Sequence, residues 1–403
     1  MHILYVTPYV PSHIRTRPYH LIRALVEQGH RVTLMAAAID AREEEDAAPL
    51  RTWGVEADVF RVSKVRSARN CAGALLSGEP LQAAYAYHPG MAQRVRERLA
   101  RGGIDVVHIE HLRAARMVEA VDGVPAVYDS VDCISLLFEQ TVVRTPQWRS
   151  RLKARLDLGR TRRYEARLLT RFEQVVITSQ RDQDALEALG ELYLAHGLPR
   201  APVTVITNGV DTTYFQLPTP HPPRDRKTIV FTGKMSYHAN EAGALYFARE
   251  VLPRIWAGDP EVRFQIVGKD PTEVVQRLAE DTRIEVVGTV PDLRPYLAQA
   301  TAAVCPVPYA VGVQFKVLEA MAMETPVISS AAAFSGMAHA VQGEDILVAD
   351  TPEAFAALVL RTLADPGLAG KVAANGRQYV ERHHSWAGSA EKLVSIYREV
   401  LGK

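Results

Sequence analysis

Short β-rich runs alternate with longer helical patterns twice along this chain of 403 residues, and a proline-dense connector separates the two series. Parallel strands can be joined only by long crossovers, so this order predicts helix-wrapped parallel sheets and an α/β fold class. In the first series the strand runs are Ile3 to Val6, Arg31 to Ala36, Asp105 to Ile109, Ala126 to Asp129 and Gln174 to Thr178. Between the first two lies a helical pattern from Pro18 to Gln28, closed by Gly29-His30. The second series has runs at Thr228 to Thr232, Arg263 to Val267, Ile284 to Val287, Ala302 to Pro306 and Pro326 to Ser329. Between the series, Asn208-Gly209-Val210-Asp211 leads into the proline-dense stretch 217–223, so a hinge is expected between about 200 and 225. Ala387 to Leu401 repeats apolar residues at helical spacing and is a terminal helix that must pack on something. The expected division is 1–205, 206–382 and 383–403. Open α/β sheets bind ligands beyond the carboxyl ends of their strands, so function is sought in those loops and in a cleft between two facing domains.

Composition narrows the class. A hydrophobic share of 47% with 23% charged residues is that of a globular protein, and 47 basic against 46 acidic side chains leave no overall bias toward nucleic acid. Cys71, Cys133 and Cys305 are odd in number and far apart, which argues against a disulfide framework or a zinc site and for a reducing cytoplasm. No leader-like segment precedes the first strand run and no stretch approaches 18 apolar residues, so neither export nor a membrane span is expected.

The most informative segment runs from Pro308 to Ile328 and reads loop, helix, strand. Gly312 lets backbone approach a ligand, and the helix that follows presents free N–H groups with the positive end of its dipole, which suits a diphosphate. Lys316 and Glu319 are three apart on one helix face. The cation can meet phosphate while the carboxylate accepts from ribose hydroxyls, although spacing alone equally fits a surface ion pair. A second strand, glycine turn and helix start, Phe231 to Asn240, carries Gly233 and Lys234. Glycines also end the strands at Gly268 and Gly288.

Lys316-Val317-Leu318-Glu319-Ala320-Met321-Ala322, followed by Thr325-Pro326-Val327, resembles the donor-site helix of the retaining family-four glycosyltransferases. The resemblance covers essentially the whole chain. It implies a GT-B fold, in which two Rossmann-like domains face a cleft and a last helix crosses back to the first domain. It also implies transfer of a sugar from a nucleoside-diphosphate sugar to an acceptor, with retention and without a metal or other cofactor. Glu319 matches the second of the family's two glutamates and takes its ribose role, whereas Val311 stands where the first, near the transferred sugar, is usual. Sugar contacts then fall to the backbone of Gly312, Val313 and Gln314. Lys234, after Gly233, resembles the family's basic contact to the donor diphosphate. Gly268, Thr289 and Val290 resemble its base-binding edge. Ser236 to Asn240 and Gly312 to Lys316 are similar to sugar transferases of bacterial exopolysaccharide and exosortase-associated clusters.

In the first half, Glu110 and His111 follow a strand where the family places polar groups beside the donor sugar, so they join Lys234 and Lys316 as catalytic candidates. Arg17, in a loop that the family sends toward phosphate and acceptor, and Asp129, at another strand end, are the acceptor-binding candidates; strand-end carboxylates also serve as caps. Asp182-Gln183-Asp184 spells a metal-binding D-x-D but opens a helix, where acids favour the dipole. No helix-borne HExxH, Walker loop or dinucleotide glycine fingerprint is present. From Arg144 to Arg171 there are ten Lys or Arg against Asp157 and Glu165. With Leu152, Leu156, Leu168 and Leu169 this reads either as a helix resting on an anionic membrane surface, making the protein peripheral at the inner face, or as a solvated basic helix or packing face. Aromatics at stacking spacing are missing, so nucleic acid is not an expected partner. The alternatives to transfer are a nucleotide-sugar 2-epimerase, which needs donor alone, and a non-catalytic sugar-binding subunit.

Overall fold

The structure is a computed structural model that describes residues 1–144, 148–220, 224–310 and 312–402. Val311, and 145–147 of the basic stretch, lie outside the described residues, as do 221–223 of the connector. The chain divides into two compact units. The first comprises 1–142, 149–208 and 386–403; the second comprises 143–148 and 209–385.

The first unit holds a seven-stranded sheet: β1 His2–Thr7, β2 Arg31–Ala38, β3 Glu56–Arg61, β4 Val106–Glu110, β5 Ala126–Val131, β6 Gln174–Ile177 and β7 Val203–Val205. Their order is β3-β2-β1-β4-β5-β6-β7, and every pairing is parallel. β1 is buried along its whole length, as a strand covered by helices on both faces must be. Two edge strands escaped the sequence reading. β3 is half-exposed and carries Glu56, Asp58 and Arg61, so it lacks the apolar run of its neighbours, and β7 has three residues.

The second unit holds β8 Asp225–Thr232, β9 Arg263–Val267, β10 Ile284–Gly288, β11 Ala300–Cys305, β12 Val327–Ser329 and β13 Leu347–Val348. The order is β10-β9-β8-β11-β12-β13, again parallel throughout. Only the two-residue β13 lacks a counterpart in the sequence reading. In each sheet the strand order reverses once, between β1 and β4 and between β8 and β11. Ligands of open α/β sheets settle in the crevice at such a reversal.

The helix Trp386–Val400 belongs to the first unit. Trp386 stacks on His20 at 5.2 Å, Ala387 O accepts from Gln28 Nε2, Ser389 Oγ donates to Thr207 O, and the Tyr397 hydroxyl meets His108 Nδ1 at 2.8 Å.

The carboxyl ends of β8, β9 and β10 are zipped together by glycines. Gly233 N donates to Val267 O, Gly268 N to Gly288 O, and Met235 N to Lys269 O. Gly268 has φ +151, and a Cβ there would stand 1.8 Å from Gly233 O, so only glycine fits. Gly268→Ala is expected to destabilise the second unit by about 2 kcal/mol or more. Urea unfolding checks this; an unchanged midpoint would show that the strand ends are not packed this closely.

Candidate functional site

In the second unit the candidate donor residues gather at the carboxyl edge of the sheet, around the reversal between β8 and β11. Gly233 and Lys234 follow β8, Gly268 follows β9, and Thr289 and Val290 follow β10. The loop after β11 leads through Gly312 and Gln314 into the helix Phe315–Ala322. Lys316 lies against the first of these loops: a Cβ built on Gly233 would be 3.1 Å from Lys316 Cε and 2.8 Å from Asn240 Nδ2. Asn240 itself donates to Lys234 O at 2.9 Å. The two lysines therefore belong to one constellation, although they are 82 positions apart in the chain.

Lys316 Nζ is held by a neutral group, Gln314 Oε1, at 3.0 Å. Lys234 Nζ stands 3.6 Å from Asp270, and both side chains are exposed, a weak pair that a phosphate can displace. Gln314, the residue before the helix Phe315–Ala322, makes no side-chain capping bond to it among the described residues, and the positive end of the helix dipole lies there. Glu319 lies one turn further on. Burial raises its pKa to about 7, against the pull of Lys316, and among the described residues no hydrogen bond holds its carboxylate. Val313 packs its side chain into the core, so only its backbone can serve a ligand; Thr289 is exposed and Val290 half-buried against the core. Beside the lysines, His238 Nδ1 meets the Tyr309 hydroxyl at 2.5 Å and their rings stack.

In the first unit the candidates Glu110, His111, Arg17 and Asp129 also converge, but most of them face inward. Glu110 is fully buried and accepts from Tyr5 at 2.7 Å and from Tyr9 at 2.8 Å. Burial, reinforced by Asp129, raises its pKa to about 8, so it is a neutral acid at physiological pH. Asp129 is equally buried. Arg17 Nε donates to it at 2.8 Å, while Arg17 Nη1 donates to Ile206 O and Asn208 Oδ1. Arg17, 4% exposed, is thus a brace joining β5 to the segment after β7 rather than a group presented to an acceptor. Removing either partner of such a pair costs about 3–5 kcal/mol because a buried charge is stranded. His108, Glu110 and Asp129 bring ligand-capable atoms within 4.8 Å of one another. The oxygens are already committed to Tyr5, Tyr9 and Arg17, so a metal would have to displace a buried guanidinium.

His111 is half-buried in a left-handed conformation, φ 70, which is strained for a residue with a side chain. Its Nδ1 accepts from Arg113 N, which puts the proton on Nε2, and burial with Arg113 and Arg15 nearby drops its pKa to about 3. It is a neutral donor. Asp182 and Asp184 do not share a ligand position: Asp182 is buried, hydrogen-bonded by Ser179 and Cys133 N, while Asp184 is exposed and takes a bond from Gln180. Tyr5, Tyr9, Arg15, Arg113 and the His238–Tyr309 pair stand beside the candidate residues, and local spacing does not reveal them because pairing between distant strands brings them there.

Among known proteins, residues 15–214 match the family profile "Glycosyltransferase Family 4", and residues 226–365 match "Glycosyl transferases group 1". The chain is 30% identical over 150 residues to "Glycosyltransferase 1 domain-containing protein 1" of Xenopus tropicalis, covering 35% of this chain and 42% of that one. It is 28% identical over 224 residues to "Alpha-maltose-1-phosphate synthase" of Mycolicibacterium smegmatis, covering 49% of this chain and 57% of that one. The matched stretch thus spans about half the length of these curated relatives. The fold resembles that of sucrose-phosphate synthase from Thermosynechococcus elongatus, with TM-score 0.70, 17% identity and 100% of both chains covered. It also resembles Anabaena HepE in complex with UDP, with TM-score 0.68, 14% identity and coverage of 99% of this chain and 100% of that one. The fold is GT-B. The two units carry the two domains that these glycosyltransferase profiles describe.

Glu110 makes a prediction about pH. A carboxyl whose pKa is raised in the fold contributes stability that is full below its unfolded value, near 4.5, and is lost as pH rises through about 8. Glu110→Gln keeps an uncharged hydrogen-bonding group between Tyr5 and Tyr9. The variant is expected to lose less stability than the parent between pH 5 and 8 by chemical denaturation; parallel curves would show that Glu110 is ionised in the fold.

Proposed function

We propose that the protein transfers a glycosyl group from a nucleoside-diphosphate sugar to an acceptor, with retention and without a metal. The observation that carries this reading is the meeting of Lys316 with the Gly233–Lys234 loop at the sheet reversal, at the start of the helix Phe315–Ala322. The donor diphosphate binds between Lys234 and Lys316, the leading amides of the helix Phe315–Ala322 add their dipole, and Glu319 accepts from the ribose hydroxyls. Anabaena HepE, a neighbour in fold, is known in complex with UDP and with UDP-glucose, which supports a donor of this kind.

In the step itself, the bond between the anomeric carbon and the diphosphate oxygen breaks and its electron pair leaves on that oxygen. The lysines and the helix start stabilise the charge. The acceptor hydroxyl forms the new bond on the same face and passes its proton to the departing phosphate oxygen. Charge developing on the leaving group is met by donors already in position, which is where preorganised electrostatics lowers a barrier most. Neutral His111, with its proton on Nε2, serves as a donor to a sugar hydroxyl.

Lys316→Ala is expected to lower kcat/KM by about 10²-fold, close to 2.7 kcal/mol, with unfolding unchanged. Release of nucleoside diphosphate from uridine and guanosine donors, followed across an acceptor panel, measures it. Undiminished turnover would sink the assignment, and an isomerised sugar from donor alone would make the protein an epimerase.

The basic helix Trp148–Leu168 supports a membrane-facing role. Ala154, Asp157, Thr161 and Tyr164 are buried, while Trp148, Leu152 and Leu156, each four residues apart, are 66%, 49% and 69% exposed. Arg151, Lys153 and Arg155 are exposed around them. Leu168 and Leu169, read from sequence as part of the apolar face, are instead buried in the core. An apolar stripe framed by cations fits an anionic lipid surface. Leu152→Glu with Leu156→Glu is expected to abolish co-sedimentation with phosphatidylglycerol vesicles; equal recovery from phosphatidylcholine vesicles by the parent would remove the electrostatic part of the argument.

A further inference from the structure

The loop after β11, which leads through Gly312 to Lys316, is held from several sides. Near its root Ser330 Oγ donates to Val307 O at 2.6 Å, and the helix His238–Tyr246 comes so close that a Cβ on Gly243 would lie 3.1 Å from Pro306 O. In its middle the fully buried Tyr309 meets His238. Its tip is pressed by the turn that follows the short helix Ala331–Phe334. A Cβ on Gly336, in that turn, would lie 2.1 Å from Gly312 O, 2.8 Å from Gly312 C and 3.4 Å from Val313 Cα.

The backbone of Gly336 lies outside the left-handed region, so its conformation suits any residue. Space alone reserves the position for glycine. The obstacle is backbone and not the end of a flexible side chain, so a Cβ can enter only if the Gly312 peptide or the turn moves. The contact falls on one particular group, the carbonyl of the Gly312–Val313 peptide. In a planar trans peptide the C=O and the N–H point in opposite directions. With Gly312 O turned toward Gly336, the Val313 N–H points away from the turn, and among the described residues it has no hydrogen-bond partner. Val313 is 4% exposed. An unpaired N–H in so buried a residue is rare, and at the rim of a ligand crevice it is a donor kept for an oxygen of the ligand.

We propose that Gly336 is a positioning residue of the donor site: bare of a side chain, it lets Gly312 O settle against the turn and so aims the Val313 N–H at an oxygen of the nucleotide sugar. The inference rests on the transfer reading above and adds to it a residue that itself touches no substrate.

Gly336→Ala is the test, read by calorimetric titration with UDP or GDP, whichever the parent prefers, and with the matching nucleotide sugar. The variant is expected to bind the nucleotide sugar about tenfold more weakly than the parent, the effect of one lost hydrogen bond. A loss shared by the diphosphate places the amide on phosphate, and a loss confined to the nucleotide sugar places it on the sugar; either supports the proposal. Gly258→Ala is the control. Its Cβ would meet Leu360 Cδ1 at 2.8 Å, a side-chain contact in the same unit, and it is expected to keep both affinities. In turnover, the donor KM of Gly336→Ala should rise about tenfold; a merely smaller folded fraction lowers kcat and leaves KM unchanged, and that result overturns the proposal. In ligand-free protein, hydrogen exchange of the segment 306–316 should quicken in Gly336→Ala and not in Gly258→Ala, which tests the contact without any donor. Unchanged exchange and affinity in Gly336→Ala, or equal losses in Gly258→Ala, overturn the proposal. A parent that binds neither diphosphate nor nucleotide sugar sinks the transfer reading, and the positioning role falls with it.

Discussion

Both units depend on one constraint: strands that all point the same way must finish at the same edge. A parallel neighbour is reached only through a crossover, so every strand of β1–β7, and again of β8–β13, delivers its following loop to one side. Reversal of strand order then opens a crevice among those loops. In the second unit the crevice collects Gly233, Lys234, Lys316 and Glu319; in the first it collects Tyr9, Arg15, His111 and Arg113. Polar chemistry is thereby confined to a rim whose position the packing of Val, Ile and Leu strands decides.

The two rims spend their charge differently. In the second unit the cations are weakly engaged, Lys316 by an amide and Lys234 by an exposed aspartate. In the first, carboxylates are buried and either neutral, as Glu110 between two tyrosines, or paired, as Asp129 with Arg17. Such groups serve shape before they serve chemistry. This buried network of Tyr5, Tyr9, Arg17, Glu110 and Asp129 holds β1, β4 and β5 in fixed relation.

Much of this was legible in the chain of letters, and the rest was hidden for physical reasons. Strands with unbroken apolar runs, such as Ile3 to Val6 of β1, are visible because burial on both faces selects apolar side chains; β3, exposed at an edge and carrying Glu56, Asp58 and Arg61, is under no such selection. Lys316 and Glu319 are legible because a spacing of three on one helix is a local pattern. Arg17 reads as a ligand-seeking cation in isolation, since its partner Asp129 is 112 residues away and only the register of β1, β4 and β5 brings them together. Arg15 and Arg113, 98 positions apart, likewise reach one recess only because β1 and β4 are neighbours.

The helix Trp386–Val400 carries a consequence for the order in which the protein is made. Tyr397 bonds His108 at the heart of the first sheet and Trp386 stacks on His20, so the amino-terminal unit lacks part of its core until residues near 400 leave the ribosome. The second unit, drawn almost wholly from 209–385, has all its strands earlier. Domains usually mature during synthesis in the order of their emergence. Here the half translated first is the half completed last, because its closing helix emerges after every strand of the second unit.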